Sequence, residues 1–299
     1  MKTAVTPIRD TNAARYRVCR LHRPYPQPTA KAILSALTCI YLSGCAMAPA
    51  IPPTPTPTPN ILTVAVAWKQ TAAEYEALYH QGFNIARLRV EHELAQQQPN
   101  GLPLAVIVDM DDTILDTRDY WAGLLASGQD FFDDAQWDIW ISENKVRPTP
   151  GSLEFLTFCA EQQVQVFYVT SRNQGASTYD YALNHLQLNG FPFADTQHLT
   201  VLTDSSNKQL RQDDIRAMFD VVVLIGDNLN DFSREFYVDD QLERKALMQQ
   251  HRKQFGARFI LLPNPTDGHW LKPLFGETEP SASPQNRSKW QTAAEQGSD

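Results

Sequence analysis

Five short apolar runs, at 104–108, 164–169, 199–202, 221–225 and 258–262, are rich in Val, Ile, Leu and Phe. Helix-period segments separate most of them. Strands alternating with helices predict a parallel sheet covered on both faces. The expected fold class is therefore α/β, a Rossmann-like parallel sheet with helices on both sides. Helices are expected with Thr149 as N-cap and Pro150 in the first turn, over 177–188 stopping at Gly190, over 208–218 and over 230–254. Ligands of such sheets sit at the carboxyl ends of strands. Polar clusters stand there: DMDD (109–112) after the first run, Thr170, Ser171 and Arg172 after the second, and GDNLND (226–231) after the fourth.

Residues 68–98 read as one long helix, with Trp68, Ala72, Tyr75, Tyr79, Gly82, Phe83 and Ala86 at three- and four-residue steps. That stripe reads as core. Residues 118–147 interrupt the alternation and carry Tyr120, Trp121, Phe131, Phe132, Trp137 and Trp140. A small helical cap is expected from this segment and part of 68–98. Beyond 276 the chain is rich in Ser, Pro, Gln and Glu, which predicts a disordered tail over 277–299. The folded domain is then expected over 64–276.

The amino-terminal region reads as an export signal over 1–44. Basic residues end at Lys31, and the eleven residues from Ala32 to Leu42 carry no charge. That is about half the length that spans a bilayer and fits the apolar region of a signal peptide. LSGC (42–45) resembles a bacterial lipobox, which implies a lipid-bearing Cys45. Ala46 after it favours the outer membrane of a Gram-negative envelope. PPTPTPTP (52–59) favours polyproline II, a semi-rigid stalk of roughly 25 Å, so 45–63 is expected to be anchor and spacer. With Cys19 and Cys39 in the leader, Cys159 has no partner, and no disulfide is expected.

The first 44 residues hold seven Lys/Arg against one acid. The remainder carries 19 basic and 33 acidic residues, a net −14. Such a body offers no basic face to a nucleic-acid polymer.

Asp109 and Asp111 stand two apart, so on extended backbone they point the same way, while Asp112 faces elsewhere. An ionised Asp109 needs no base before attacking phosphorus, and an acyl phosphate splits one hard step into two. Asp111 is placed to protonate the leaving oxygen and later activate water. Asp227, after the turn-forming Gly226, allows a Mg2+ ion to neutralise the approach of two anions. Asp231 is the natural second acid, behind the metal. Thr170 with nearby backbone N–H groups, Ser171 beside it, and Lys208 are the expected phosphate donors. Arg211 rivals Lys208, and Arg172 either lines the phosphate pocket or pairs with acids.

DMDDT (109–113), Thr170, Lys208 and GDNLND (226–231) resemble the four motifs of the haloacid-dehalogenase superfamily. DMDDTILD with Tyr120 nearby, GDNLND with Phe232, and WKQTAAEY (68–75) resemble the class C nonspecific acid phosphatases, over about 64–275. The resemblance implies a Mg2+-dependent phosphomonoesterase. Its metal ligands would be the Asp109 carboxylate, the Asp111 backbone carbonyl and Asp227. Small phosphomonoesters, including nucleoside monophosphates and nicotinamide mononucleotide, are the implied substrates. Trp137, Trp140 and Tyr237 are candidates to stack on a base. A narrow 5'-nucleotidase and a non-catalytic surface lipoprotein remain alternatives. A receiver domain shares Asp, Mg2+, Thr and Lys, but the export signal weighs against it. The oligomeric state stays open, a homodimer included.

Overall fold

The computed structural model describes residues 60–296. The leader, Cys45 and the Pro/Thr stretch to 59 lie outside the described residues. No helix among the described residues is long and apolar enough to cross a membrane.

The strands are β1 (Leu104–Val108), β2 (Leu115–Asp116), β3 (Arg147–Pro148), β4 (Gln165–Ser171), β5 (Leu199–Leu202), β6 (Asp220–Gly226) and β7 (Phe259–Leu261). Ten helices accompany them among the described residues: α1 (Thr63–Thr71), α2 (Ala73–Gln96), α3 (Arg118–Ala126), α4 (Asp134–Ser142), α5 (Ser152–Glu161), α6 (Thr178–Leu188), α7 (Gln209–Met218), α8 (Gln241–Gln250), α9 (Lys272–Phe275) and α10 (Pro284–Glu295).

The main sheet is parallel throughout, in the order β5-β4-β1-β6-β7. The expected α/β class and all five apolar runs are found. Period-two alternation explains how each strand serves two cores. Val106 and Val108 of β1 and Val166 and Tyr168 of β4 join the core under α2, α5 and α6. Ala105, Ile107, Phe167 and Val169 join the opposite one, with Ile215 of α7 and Leu247 of α8. Cys159 is buried in the first core as a free thiol, and burial pushes its pKa up.

Five expectations change. The helix expected over 68–98 is two helices, broken at Ala72, whose ψ of 123° is extended. In one straight helix Lys69 and Tyr79 would stand about 15 Å apart along the axis. The break lets both reach Asp112: Lys69 Nζ donates to its carboxylate at 2.9 Å and Tyr79 to its carbonyl at 2.5 Å. Most of 68–98 lies on the sheet; the helix that packs with α3 is α1, whose Val66, with Leu62 before it, joins Tyr120, Trp121, Leu124, Trp137 and Ile141 in a cap core. The folded part therefore starts before residue 64, and Asn60 already donates to the Gln129 carbonyl at 2.6 Å.

Thr149 does not cap α5. Its hydroxyl donates to the Thr113 carbonyl at 2.7 Å, and the helix begins after Gly151, at φ 81°. The helix expected over 230–254 is two short 3-10 turns, 229–231 and 234–236, and then α8. Ser233 and Asp240 cap the second turn and α8, accepting from the N–H groups of Glu235 and Glu243.

The tail expected to be disordered carries α10. Ser283 caps it, accepting from Asn286 N–H. Arg287 grips Asp130 of the cap through both carboxylate oxygens. Trp290 lies 5.1 Å from Phe275 and 5.2 Å from Trp270, ring centre to ring centre. Polar composition hid two aromatic contacts. Trp290→Ala should therefore cost about 1–2 kcal/mol of half-buried apolar contact. Thermal unfolding is expected to show a Tm lower by a few degrees; an unchanged Tm would mean that α10 does not support the domain.

Candidate active site

Every polar cluster forecast at a strand end opens into one cleft of about 480 Å³. Asp109 leaves β1 with its N–H donated to the Ile225 carbonyl of β6 at 3.0 Å, so two central strands fix its backbone. Lys208, at the start of α7, donates to Asp109 Oδ1 at 2.5 Å and lies 2.7 Å from Asp231 Oδ1. Asp231 Oδ2 accepts the Asn228 N–H at 2.9 Å. Asp109 Oδ2 has no partner among the described residues.

Asp227 follows β6. Its Oδ2 accepts from the side-chain amides of Asn264 (2.7 Å) and Asn228 (2.8 Å). Gly226 before it has ordinary backbone. Its missing Cβ leaves room for the Asp231 carboxylate, which any side chain there would strike. Asp109, Asp227 and Asp231 each bring an oxygen within 4.8 Å of the others. The donor set is all carboxylate oxygen, which suits a hard divalent cation.

Charge bears this out. Burial pushes the Asp109 carboxyl up to about 6 although Lys208 pulls the other way. Burial, and then the charges of Asp231 and Asp109, push Asp227 well above the usual carboxylate range. Of the five aspartates on the cleft floor (109, 111, 112, 227 and 231), Asp227 is the one with no salt bridge among the described residues.

Asp111 and Asp109 both line the cleft, but Asp111 does not join the carboxylate triad. Arg172 clamps it through two hydrogen bonds of 2.6 Å. Arg172 thus both pairs with an acid and lines the cleft. Asp112 turns away, at φ 51°, to meet Lys69. Asp residues tolerate that left-handed conformation better than most. Thr170 is buried at the floor, and its hydroxyl takes no partner from the described residues. Ser171 lines the cleft beside it. Arg211 is tied to Thr200 and the Gln197 carbonyl, away from the cleft, which leaves Lys208 as the site lysine.

Of the aromatic candidates, Trp137 and Tyr237 line the cleft and Trp140 does not. Trp140 packs between cap and sheet cores, 5.4 Å from Trp137 and 5.9 Å from Tyr120. Trp121, Phe132 and His269 line the cleft unforeseen. Nothing in the spacing separates them from cap packing. Asn230 was also missed: it is 4% exposed, it lines the cleft, and neither polar atom of its amide has a partner. Its place inside GDNLND was the available signal. Asp267, pushed up to about 7 by burial, and Thr278 and Glu279 of the tail complete the rim.

A family model described as HAD superfamily, subfamily IIIB (acid phosphatase) matches residues 30–270. Among solved structures, the class C acid phosphatase from Bacillus anthracis with tungstate bound aligns with a TM-score of 0.72 at 28% identity, covering 79% of this chain and 97% of that one. A second structure of the class C acid phosphatase from Bacillus anthracis aligns at 0.70, with the same identity and coverage.

A carboxyl whose pKa is raised by folding favours the folded state while protonated. That contribution is full below the unfolded value of 3.8 and is lost as pH rises through the folded value. Asp227→Asn should therefore stabilise the protein in chelator, with a Tm gain near zero at pH 4 that grows toward pH 8. Melting both proteins across that range checks it, and the difference cancels every other titrating group. A gain independent of pH would contradict the crowding of charge at Asp227.

Proposed function

The chain belongs to HAD superfamily subfamily IIIB, the acid phosphatases, and from that membership we propose a Mg2+-dependent phosphomonoesterase working through an aspartyl phosphate on Asp109. The enzyme class, phosphomonoester hydrolysis, follows from the family. The observation that supports the metal reading is the crowding of Asp109, Asp227 and Asp231, whose oxygens lie within 4.8 Å of one another while Asp227 has no salt bridge among the described residues.

Asp109 Oδ2 attacks phosphorus, and the ester oxygen leaves with a proton from Asp111. Water then attacks the acyl phosphate, giving its proton to Asp111. Inorganic phosphate is released and the Asp109 carboxylate is regenerated. A clamped Asp111 is well held as a base, and loading it with a proton requires one bond to Arg172 to weaken. Lys208 keeps Asp109 ionised and presents donors to the equatorial phosphoryl oxygens, with Thr170, Ser171 and the Asn230 amide around them. Asn230 is suited to this because a substrate oxygen satisfies a donor that the protein leaves unmade.

Mg2+, held by Asp109, Asp227 and by resemblance the Asp111 carbonyl, would supply charge neutralisation and a Lewis acid to the phosphoryl oxygen. Asp231 supports from behind, since both its oxygens are already taken by Lys208 and Asn228. The tungstate in the Bacillus anthracis structure shows an oxyanion bound by a relative.

The walls favour a broad substrate range. Trp121, Phe132 and Trp137 from the cap face an opening shared with Tyr237 and His269. Aromatic faces accept any planar leaving group, so nucleoside monophosphates fit among other phosphomonoesters. Cys45 would tether the enzyme to the outer membrane, with the Pro/Thr stretch as spacer.

Asp109→Asn should lower kcat on a simple aryl phosphate at least about a thousandfold with a native melting curve. Chelator should abolish wild-type turnover and Mg2+ restore it. Near-wild-type turnover in either case rejects the mechanism. A panel of phosphomonoesters settles breadth: a thousandfold preference for one nucleotide would replace the broad reading with a narrow nucleotidase.

A further inference from the structure

Asp111 is held by a guanidinium that is itself held. Arg172 gives Nε and Nη2 to the two Asp111 oxygens, and its Nη1 lies 3.0 Å from Nδ1 of His185. His185 sits on α6, 1% exposed, and its Nε2 lies 3.0 Å from the Ile141 carbonyl oxygen in the last turn of α4. A carbonyl only accepts, so Nε2 carries the proton. A guanidinium only donates, so Nδ1 must offer its lone pair. Both contacts demand the same neutral tautomer, and a doubly protonated ring would lose the second. Burial, and then the charge of Arg172, push His185 down to about 4, which keeps the ring neutral.

We infer that His185 is a positioning residue for Asp111: it fixes the plane of the Arg172 fork, through it the direction of the Asp111 carboxylate, and ties both to the cap at Ile141. The inference rests on the reading of Asp111 as the group that passes a proton to the leaving oxygen. That transfer requires hydrogen-bond reach, and the two-point grip of Arg172 transmits any tilt of its plane to Asp111. Arg172 is fully engaged by this arrangement on three of its nitrogens. Its chain is anchored on β4 through the adjoining Ser171, its fork on Asp111 after β1, and its free end on α6. His185 is the member that joins this set to a different layer, because Ile141 belongs to the cap core with Trp137. The imidazole is thus one tie between the cap and the proposed proton carrier.

A poor leaving group needs the proton; a strongly acidic phenol leaves without it. The quantity to measure is kcat/KM, which ends at formation of the phosphoenzyme, for an alkyl phosphate relative to p-nitrophenyl phosphate. In His185→Leu that ratio should fall about tenfold or more. In His185→Asn, whose side-chain oxygen stands near the place of Nδ1, most of the ratio should return. An unchanged ratio, or an equal loss on both substrates in both variants, overturns the inference. Should His185→Leu not fold, nitrogen NMR of the wild-type ring still decides, since a ring protonated on Nδ1 is incompatible with the acceptor role. Asp109→Asn run alongside separates the two readings: it can be inactive, upholding the aspartyl mechanism, while the ratio stays flat and removes His185 alone.

Discussion

Individual charge compensation of the four aspartates after β1 is the constraint on which the rest of the structure depends. Asp109 takes Lys208, Asp111 takes Arg172, Asp112 takes Lys69 and Asp116 takes Arg118. The cations come from the start of α7, the loop after β4, the end of α1 and the start of α3. An isolated buried carboxylate costs far more than a folded domain can spare. The folded acidic loop therefore depends on cations delivered by the sheet and α1. The same pairs divide the labour: Asp112 and Asp116 anchor the turn, while Asp109 and Asp111 are left in the cleft with defined directions. Asp227 stands outside this scheme, held by amides and a hydroxyl alone. Its repulsion is relieved by a proton or by a cation that the described residues do not provide.

The strands and the order of the polar clusters were legible because both signals are local. Period-two apolar runs mark buried parallel strands, and the carboxyl end of each is where a ligand is met. Asp109, Thr170 and Asp227 are therefore readable from position alone. Lys208 was less so, since Arg211 is three residues away, and only the tertiary path to Thr200 and Gln197 takes Arg211 out of reach of the cleft. The break at Ala72 was invisible: alanine favours helix, and the cause lies at Asp112, forty residues on. The docking of α10 was hidden in the same way, because one arginine and one tryptophan outweigh a polar composition only if Asp130 and Phe275 are already in place. Trp140 was misread for the opposite reason. Its spacing resembles that of Trp137, and which of two neighbours on α4 meets the cleft depends on how the cap leans.

Repulsion among the acids is relieved largely by the chain's own cations. Three of the five floor aspartates have protein cations at 2.5–2.9 Å, and Lys208 serves a fourth, Asp231. What remains for a divalent ion is narrower and better defined: one buried carboxylate, one free oxygen of Asp109 and the negative charge of a phosphate. With the metal proposed above, ion and oxyanion would bind cooperatively, since each offsets charge that opposes the other.

The two sides of the cleft are built on different physics. The floor is the rigid end of a parallel sheet, where Asp109 is hydrogen-bonded across to β6 and Asp227 is braced by Asn264 from the loop after β7. The walls are aromatic side chains of the cap and polar residues of the tail, held to each other by Arg287 and Trp290 and to the floor by few polar ties. The tie through Ile141, His185 and Arg172 is one of them, and it ends on Asp111 rather than Asp109. Asp109 and Asp111 are thus supported by separate structures: the first by the sheet, and the second by a path that also reaches the cap. For the phosphoryl transfer proposed above, this separation would hold the attacking oxygen independently of the group proposed to pass the proton.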